Sequence, residues 1–421
     1  MSSILTNNGA MVALQTLKSI NKDMASTQNL ISTGKAVSSA KDNSAIWAIS
    51  KVMESDVSGF KAISSSLSLG QSTASVARQA SETVTDLLTQ MKEKIVASQE
   101  ENVDREKIQT DIAALRDQIG AVVGAAQFNG LNLLENSSNT AGTGSINVLS
   151  SLDRSGSGVA ASEINVTKQD LGTSSGTMAT AGGAAGPTSA AAAGIVAGAT
   201  QANAFTVTTA LATQGSTIQI SQIAGTALGA GNQIIVGVRE GDTQTDVANN
   251  MVTALNFAAD KLGINGTYSL NATTAGQIDF TNDNETGGAT ISLTAADVTS
   301  YAITTPATAN GNVGGGLALL DQFDVTTSNG ADAALGAIEG MIQTSINAAA
   351  SFGSAQGRID TQMDFVSGLT DALKSGIGSL VDADMEEASA RLQALQVQQQ
   401  LGVQALSIAN QAPQTILSLF R

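Results

Sequence analysis

With 20 basic against 36 acidic residues, the 421-residue chain carries a formal net charge of −16, so most of its surface would repel a phosphate backbone and nucleic acid is not expected as a partner. It has no cysteine and no histidine, which excludes disulfides, thiol chemistry, Ser-His-Asp and Cys-His catalysis, and histidine-based zinc sites. Hydrophobic residues make up 42% of it, enough to bury a core in about two or three domains.

Met1 to Ile20 mixes Asn7, Asn8, Gln15 and Lys18 among apolar residues and lacks a basic start, so neither a signal peptide nor a membrane span is expected. Ile4, Met11, Leu14, Leu17, Met24 and Ile31 form a sparse helical stripe with Gly34 as its stop. From Ile46 the series Ile49, Met53, Asp56, Phe60, Ile63, Leu67, Gly70, Ala74, Ala77, Ser81, Val84, Leu88, Met91, Ile95 advances by threes and fours, the spacing of a long heptad helix. A third helix follows through Ile108, Ile112, Leu115, Ile119 and Val122, with Asn102 or Asp104 as its cap and its end near Gly124. Asn129-Gly130 is a turn dipeptide between apolar residues.

Residues 137–204 are a weakly patterned tract of Ser, Gly, Ala and Thr. Strand-like runs then occur at Phe205–Thr209, Thr217–Ile223 and Gln233–Arg239, a helix is expected through Val247, Met251, Leu255, Ala259 and Leu262, and alternation returns in Tyr268/Leu270, Ile278/Phe280 and Ile291/Leu293. Asp279, Asp283 and Glu285 have the oxygen ligands that calcium uses but read as a solvated turn. Gly314–Gly316 reads as a flexible return linker.

The second long seam runs through Leu335, Ile338, Ile342, Ser345, Ala349, Phe352, Ile359, Met363, Val366, Leu373 and Leu380. Near Leu380 its phase shifts to Ala388, Leu392 and Leu395, the pattern of a stutter in a continuous helix. A further stripe at Val397, Leu401, Ala405 and Ile408 makes this terminal segment apolar on two faces. The two long seams can bury each other. Phe60, Ile63, Leu67, Val84, Leu88 and Ile95 are expected to meet Ile359, Met363, Val366 and Leu373. The extreme ends are not expected to cover each other within one chain, so they should order on assembly, with Ile4, Met11, Leu14, Leu17, Leu392, Leu395, Leu401, Leu406, Ile408, Leu419 and Phe420 buried between subunits. The expected fold class is α + β, a long antiparallel coiled-coil-like helical rod from both chain ends with an inserted β-rich outer domain containing a short helix. The small residues of the seam, Gly70 and Ser345 among them, together with the stutter, are candidate adaptable elements. Ser19 with Lys22 and Ser58 with Lys61 match Ser-x-x-Lys, but both lie on periodic helices, so the chain is not read as an enzyme and no cofactor or metal is assigned.

Ser32-Thr33-Gly34, Ala40-Lys41-Asp42-Asn43, Phe128-Asn129-Gly130 leading to Leu133-Leu134, and Ala409-Asn410-Gln411-Ala412-Pro413-Gln414 with the ending Leu417-Ser418-Leu419-Phe420-Arg421 resemble, in order, the terminal motifs of bacterial flagellins. Trp47 after Asp42-Asn43 resembles flagellins of soil-dwelling α-proteobacteria. The resemblance implies a secreted homopolymer, the helical filament of the extracellular flagellum. Segments 1–40 and 385–421 would form its inner core, 41–145 and 328–384 its rod, and 146–327 its variable surface. It also implies the flagellar cap, hook-junction proteins and other flagellins as partners. Export would use the type III apparatus, with a chaperone masking the C-terminal helix. Alternative readings are a hook-filament junction protein and a secreted coiled-coil adhesin. The Phe-Asn-Gly motif and the C-terminal ending favour the filament subunit.

Overall fold

Helix α1, Asn8–Thr33, begins where the Asn7 side chain accepts from the Ala10 N–H, and it ends at Gly34, whose φ of 68° supplies the left-handed turn expected there. The structure, a computed structural model, describes residues 7–136, 142–155, 158–177, 192–209, 214–229, 232–285, 288–293, 297–301 and 313–419. Asn43 accepts from the Ala45 and Ile46 N–H groups and opens α2, Ser44–Ser98, which follows the long heptad series. Of the two candidate caps, Asp104 starts α3, Arg105–Ala125. Asn129 and Gly130, at φ 52° and 79°, turn the hairpin of β1, Gln127–Phe128, and β2, Leu131–Asn132.

The described residues of the tract that looked unpatterned contain three strands and the start of a fourth. β3, Ser145–Ser155, pairs antiparallel with β4, Gly158–Thr167, and β5, Ala192–Ile195, precedes β6, Thr200–Thr206. The β3–β4 pair was hidden because the register shifts between Leu149 and Ser151 and the buried position at the shift is filled by Ser150, which breaks the apolar alternation. β6 also begins before the run expected at Phe205–Thr209, and the run at Thr217–Ile223 is divided at Ser221, whose N–H turns to the Asp297 carbonyl. β7, Thr217–Ile220, and β8, Gln222–Ile223, result.

β9, Thr226–Ala227, completes a small hairpin with β8, and β10, Ile234–Gly237, pairs with β7. Helix α4, Gln244–Lys261, carries a capping box between Thr243 and Asp246 and buries the expected Val247, Met251, Leu255 and Ala259. β11, Gly266–Leu270, β12, Gln277–Asn282, β13, Ile291–Leu293, and β14, Val298–Tyr301, complete the middle. Its antiparallel sheets have the orders β10-β7-β14 and β11-β12-β6, with β13 paired to β5. Tyr268 packs between Phe280 and Phe205, with ring centroids 4.7 and 5.9 Å away, and all three rings are buried.

The return path is not a flexible linker. Gly315 and Leu317 donate to the Ser174 and Gly172 carbonyls at 2.9 Å, and a Cβ on Gly315 or Gly316 would stand 1.9 or 2.0 Å from the Gly172 or Asp170 carbonyl oxygen. The three glycines are therefore present because two backbones touch there. Arg239 adds a buried ion pair to Asp170 at 2.7 Å and donates to the Gly314 carbonyl at 3.1 Å. A short 3₁₀ turn, Ala318–Gln322, leads into α5, Ser328–Val381, and α6, Met385–Leu419, ends the chain.

By their contacts the residues divide into two compact units, Met1–Ser64 with Asp364–Arg421, and Ser65–Met363. Each unit has its own core.

Candidate functional site

In the unit formed by both chain ends, α1 and α6 lie antiparallel. Asn7 donates to the Ala409 carbonyl at 2.8 Å, and further along Gln399 donates to the Asn21 side chain at 2.7 Å. Gly402 lets α1 come close, since a Cβ there would lie 3.3 Å from Leu17 and 3.7 Å from Ile20. The expectation that these ends leave each other uncovered is therefore corrected on one face, where Ile20 and Leu395 are buried and Leu17, Leu392 and Leu406 are half-buried. The opposite faces stay outward. Met11 is 62% exposed and Ile408 69%, and Leu14 and Leu401 are exposed with them. Val397 is exposed on the same stripe as Leu401 and Ile408, and Val12 and Val403 are exposed off the stripes read from the sequence. Ile4 and Phe420, and the side chain of Leu419, lie outside the described residues.

The stutter read near Leu380 is instead a helix break. α5 stops at Val381, and Asp384 accepts from the Glu386 and Glu387 N–H groups to cap α6. The break exists because this joint pairs with the other one: Ala36 N–H donates to the Val381 carbonyl at 2.7 Å, and Ala383 N–H to the Gly34 carbonyl at 3.0 Å, on either side of a Lys35–Asp382 bridge. Asp42 fixes the following turn by accepting from Ser38 and Ser39, and these hydrogen bonds, the Ser39 N–H foremost, hold its carboxyl below the ordinary range.

Phe60, Ile63, Leu67, Val84, Leu88, Ile95, Ile359 and Val366 are buried along α2 and α5, and Met363 and Leu373 are half-buried. Within the Ser65–Met363 unit these helices run antiparallel. Arg78 donates to Gln356 at 2.7 Å, and Lys92 pairs with Glu339. Ser345 sits between them as a buried relay: it accepts from the Thr85 hydroxyl and donates to the Ser81 carbonyl, each at 3.0 Å. Gly70 is a notch of a different kind, because a Cβ there would stand 2.6 and 2.7 Å from the Val148 methyls of the β3–β4 hairpin. Gln362 holds the same hairpin by donating to the Ser150 carbonyl at 2.9 Å.

Candidate chemistry elsewhere is already engaged. The Ser58 hydroxyl donates to the Glu54 carbonyl, Asp279 accepts from Asn203 and Asn271, and Asp283 accepts from Thr267. Among the described residues no group of three or more acidic residues is placed to hold a metal ion. None of the described helices is long and apolar enough to cross a membrane.

Residues 4–139 match the model of the bacterial flagellin N-terminal helical region, and residues 335–420 that of the C-terminal helical region. Flagellin A of Rhizobium meliloti is 37% identical over 430 residues, covering 100% of both chains. Flagellin FljM of Caulobacter vibrioides is 29% identical over 424 residues, covering 100% of this chain and 99% of the other. The solved structure of FliC from Burkholderia pseudomallei is similar over 69% of this chain and 99% of that one, at 18% identity and a TM-score of 0.32, and plays no part in the assignment. On the two terminal regions and the full-length relatives together, the chain belongs to the bacterial flagellins and is a structural subunit of the self-assembled flagellar filament outside the cell.

Proposed function

We propose that the α1–α6 pair is the part of this subunit that joins it to its neighbours. The observation that carries the reading is the set of exposed apolar side chains left after the two helices have covered one face of each other: Met11 and Leu14 on α1, and Val397, Leu401 and Ile408 on α6. Exposed apolar stripes on packed helices mark interaction surfaces, and burial between copies would contribute about 25 cal/mol for each Å² of apolar area removed from water. Leu17, Leu392, Leu395 and Leu406 then hold the pair together. In this division of labour, 1–40 with 385–421 form the filament interior, 41–145 with 328–384 the rod, and 146–327 the outer surface. The role is mechanical rather than catalytic. Before assembly, a chaperone masking the C-terminal helix would keep the same surface from premature association during type III export, and the cap and hook-junction proteins would meet it at the filament ends.

Substitution tests the surface directly. Met11→Asp and Ile408→Asp place a charge on the exposed faces without disturbing the buried Ile20 and Leu395. Both variants are expected to keep the helical content of the native monomer and to lose seeded polymerisation, read by sedimentation. Normal polymer yield from both would overturn the assignment.

A further inference from the structure

α4 meets α5 inside the Ser65–Met363 unit across a groove of small residues. Thr253 lies 3.9 Å from the Cβ position of Gly340, and Asp260 Oδ2 lies 3.6 Å from that of Gly336. The two helices therefore pass in opposite senses, and between these points Phe257 stacks on Phe323 with centroids 5.7 Å apart. One turn before Gly336 on α5, on the same face, is Asp332. Among the described residues neither the Asp260 nor the Asp332 carboxylate has a hydrogen-bond or ion-pair partner to neutralise it. Lys261, the adjacent cation, is directed elsewhere: its ammonium donates to the Gln322 carbonyl at 3.2 Å and sits over the Phe257 ring. Asp324, near Lys261, is occupied by Thr326, Asp321 by Arg116 and Ser175, and Glu339 by Lys92. Asp260 also stands in the last turn of α4, where the helix carbonyls already concentrate negative charge.

We propose that the α4–α5 seam is a pH-sensitive latch: a proton on Asp260 closes it, and the facing charges of Asp260 and Asp332 loosen it. Burial, and then the Asp332 charge, push the Asp260 carboxyl above its ordinary 3.8. The folded seam thus binds this proton more tightly than the open one. Its stabilising contribution is complete below the ordinary value and is lost as pH rises through the raised one. The consequence is a middle segment held more firmly to α5 at lower pH than at higher pH, independent of how subunits join.

Hydrogen exchange on the full-length monomer, corrected for intrinsic rates and compared between α4 and α3 from pH 4 to pH 8, reads the latch. In the native chain the protection of α4 relative to α3 is expected to fall several-fold as pH rises. Asp260→Asn is expected to keep the acid-level protection throughout. Asp332→Asn, at an exposed position, is expected to reduce the fall. Relative protection that does not change with pH in the native chain, or a full native fall in Asp260→Asn, overturns the proposal. Should Asp260→Asn fail to fold, an undiminished fall in Asp332→Asn overturns it equally.

Discussion

Single residues here act through what comes close to them. Gly70 has a function only because Val148, far along the chain, fills the space its missing side chain leaves. Gly70→Ala is expected to lower the thermal stability of the monomer by about 1–3 kcal/mol through overpacking, and Val148→Ala in the same chain should recover part of the loss. An unchanged melting curve for the single variant would remove the notch from the account. Charges behave in the same local way. Burial first, then Asp246 and Asp170, raise the Asp242 carboxyl against the hydrogen bond and charge of Arg239, whereas the Ser38 and Ser39 hydrogen bonds lower Asp42. Carbonyl-carbon NMR titration should therefore place Asp42 below 3.8 and Asp242 above it. The stabilising share of Asp42 is present at neutral pH and lost as pH falls through its depressed value, while that of Asp242 is present in acid and lost as pH rises. The reverse order of titration would contradict both assignments. Gly34 and Asn129-Gly130 were legible in the sequence because their turns need only local chemistry. The reason for Gly70 was not, because its partner belongs to a hairpin whose alternation is broken at Ser150.

At the level of elements, periodicity located α1 to α6 well and mistook one boundary. A phase shift in a stripe reads identically whether a helix relaxes or stops. What decides is the capping carboxylate of Asp384 and the backbone bridge between the two joints, which sequence spacing does not reveal. Asp384→Ala should cost about 1 kcal/mol and increase exchange in the first turn of α6, with α5 unaffected. Equal exchange in the native and variant chains would mean that the cap is dispensable. The same reasoning explains Gly314–Gly316: a run of glycine signals freedom in isolation, yet here it permits contact between the outgoing and returning backbones, and the Arg239–Asp170 pair beside it makes that contact specific. Ser345 shows the complementary case. A polar residue in an apolar seam is kept because its hydroxyl has two partners on the opposite helix, which favours one register over its neighbours.

For the whole molecule, the central fact is an imbalance between what one chain can bury and what its terminal helices expose. The long seams of α2 and α5 bury their own stripes, whereas α1 and α6 satisfy only one face each. That the terminal segment is apolar on two sides was readable in the sequence, but that α1 covers one of those sides within the chain was not. Which side would be covered required the structure, because Gly402 and the Asn7 and Gln399 hydrogen bonds set how the two helices face one another. The most direct test is electron microscopy of full-length monomer induced to polymerise by salt or seeds, beside a truncation lacking residues 1–34 and 385–421. Filaments from the full-length chain, with a truncation that stays folded but never assembles, are the predicted result. Filaments from the truncation, or a full-length chain that remains a small oligomer, would contradict the assignment of assembly to the terminal pair.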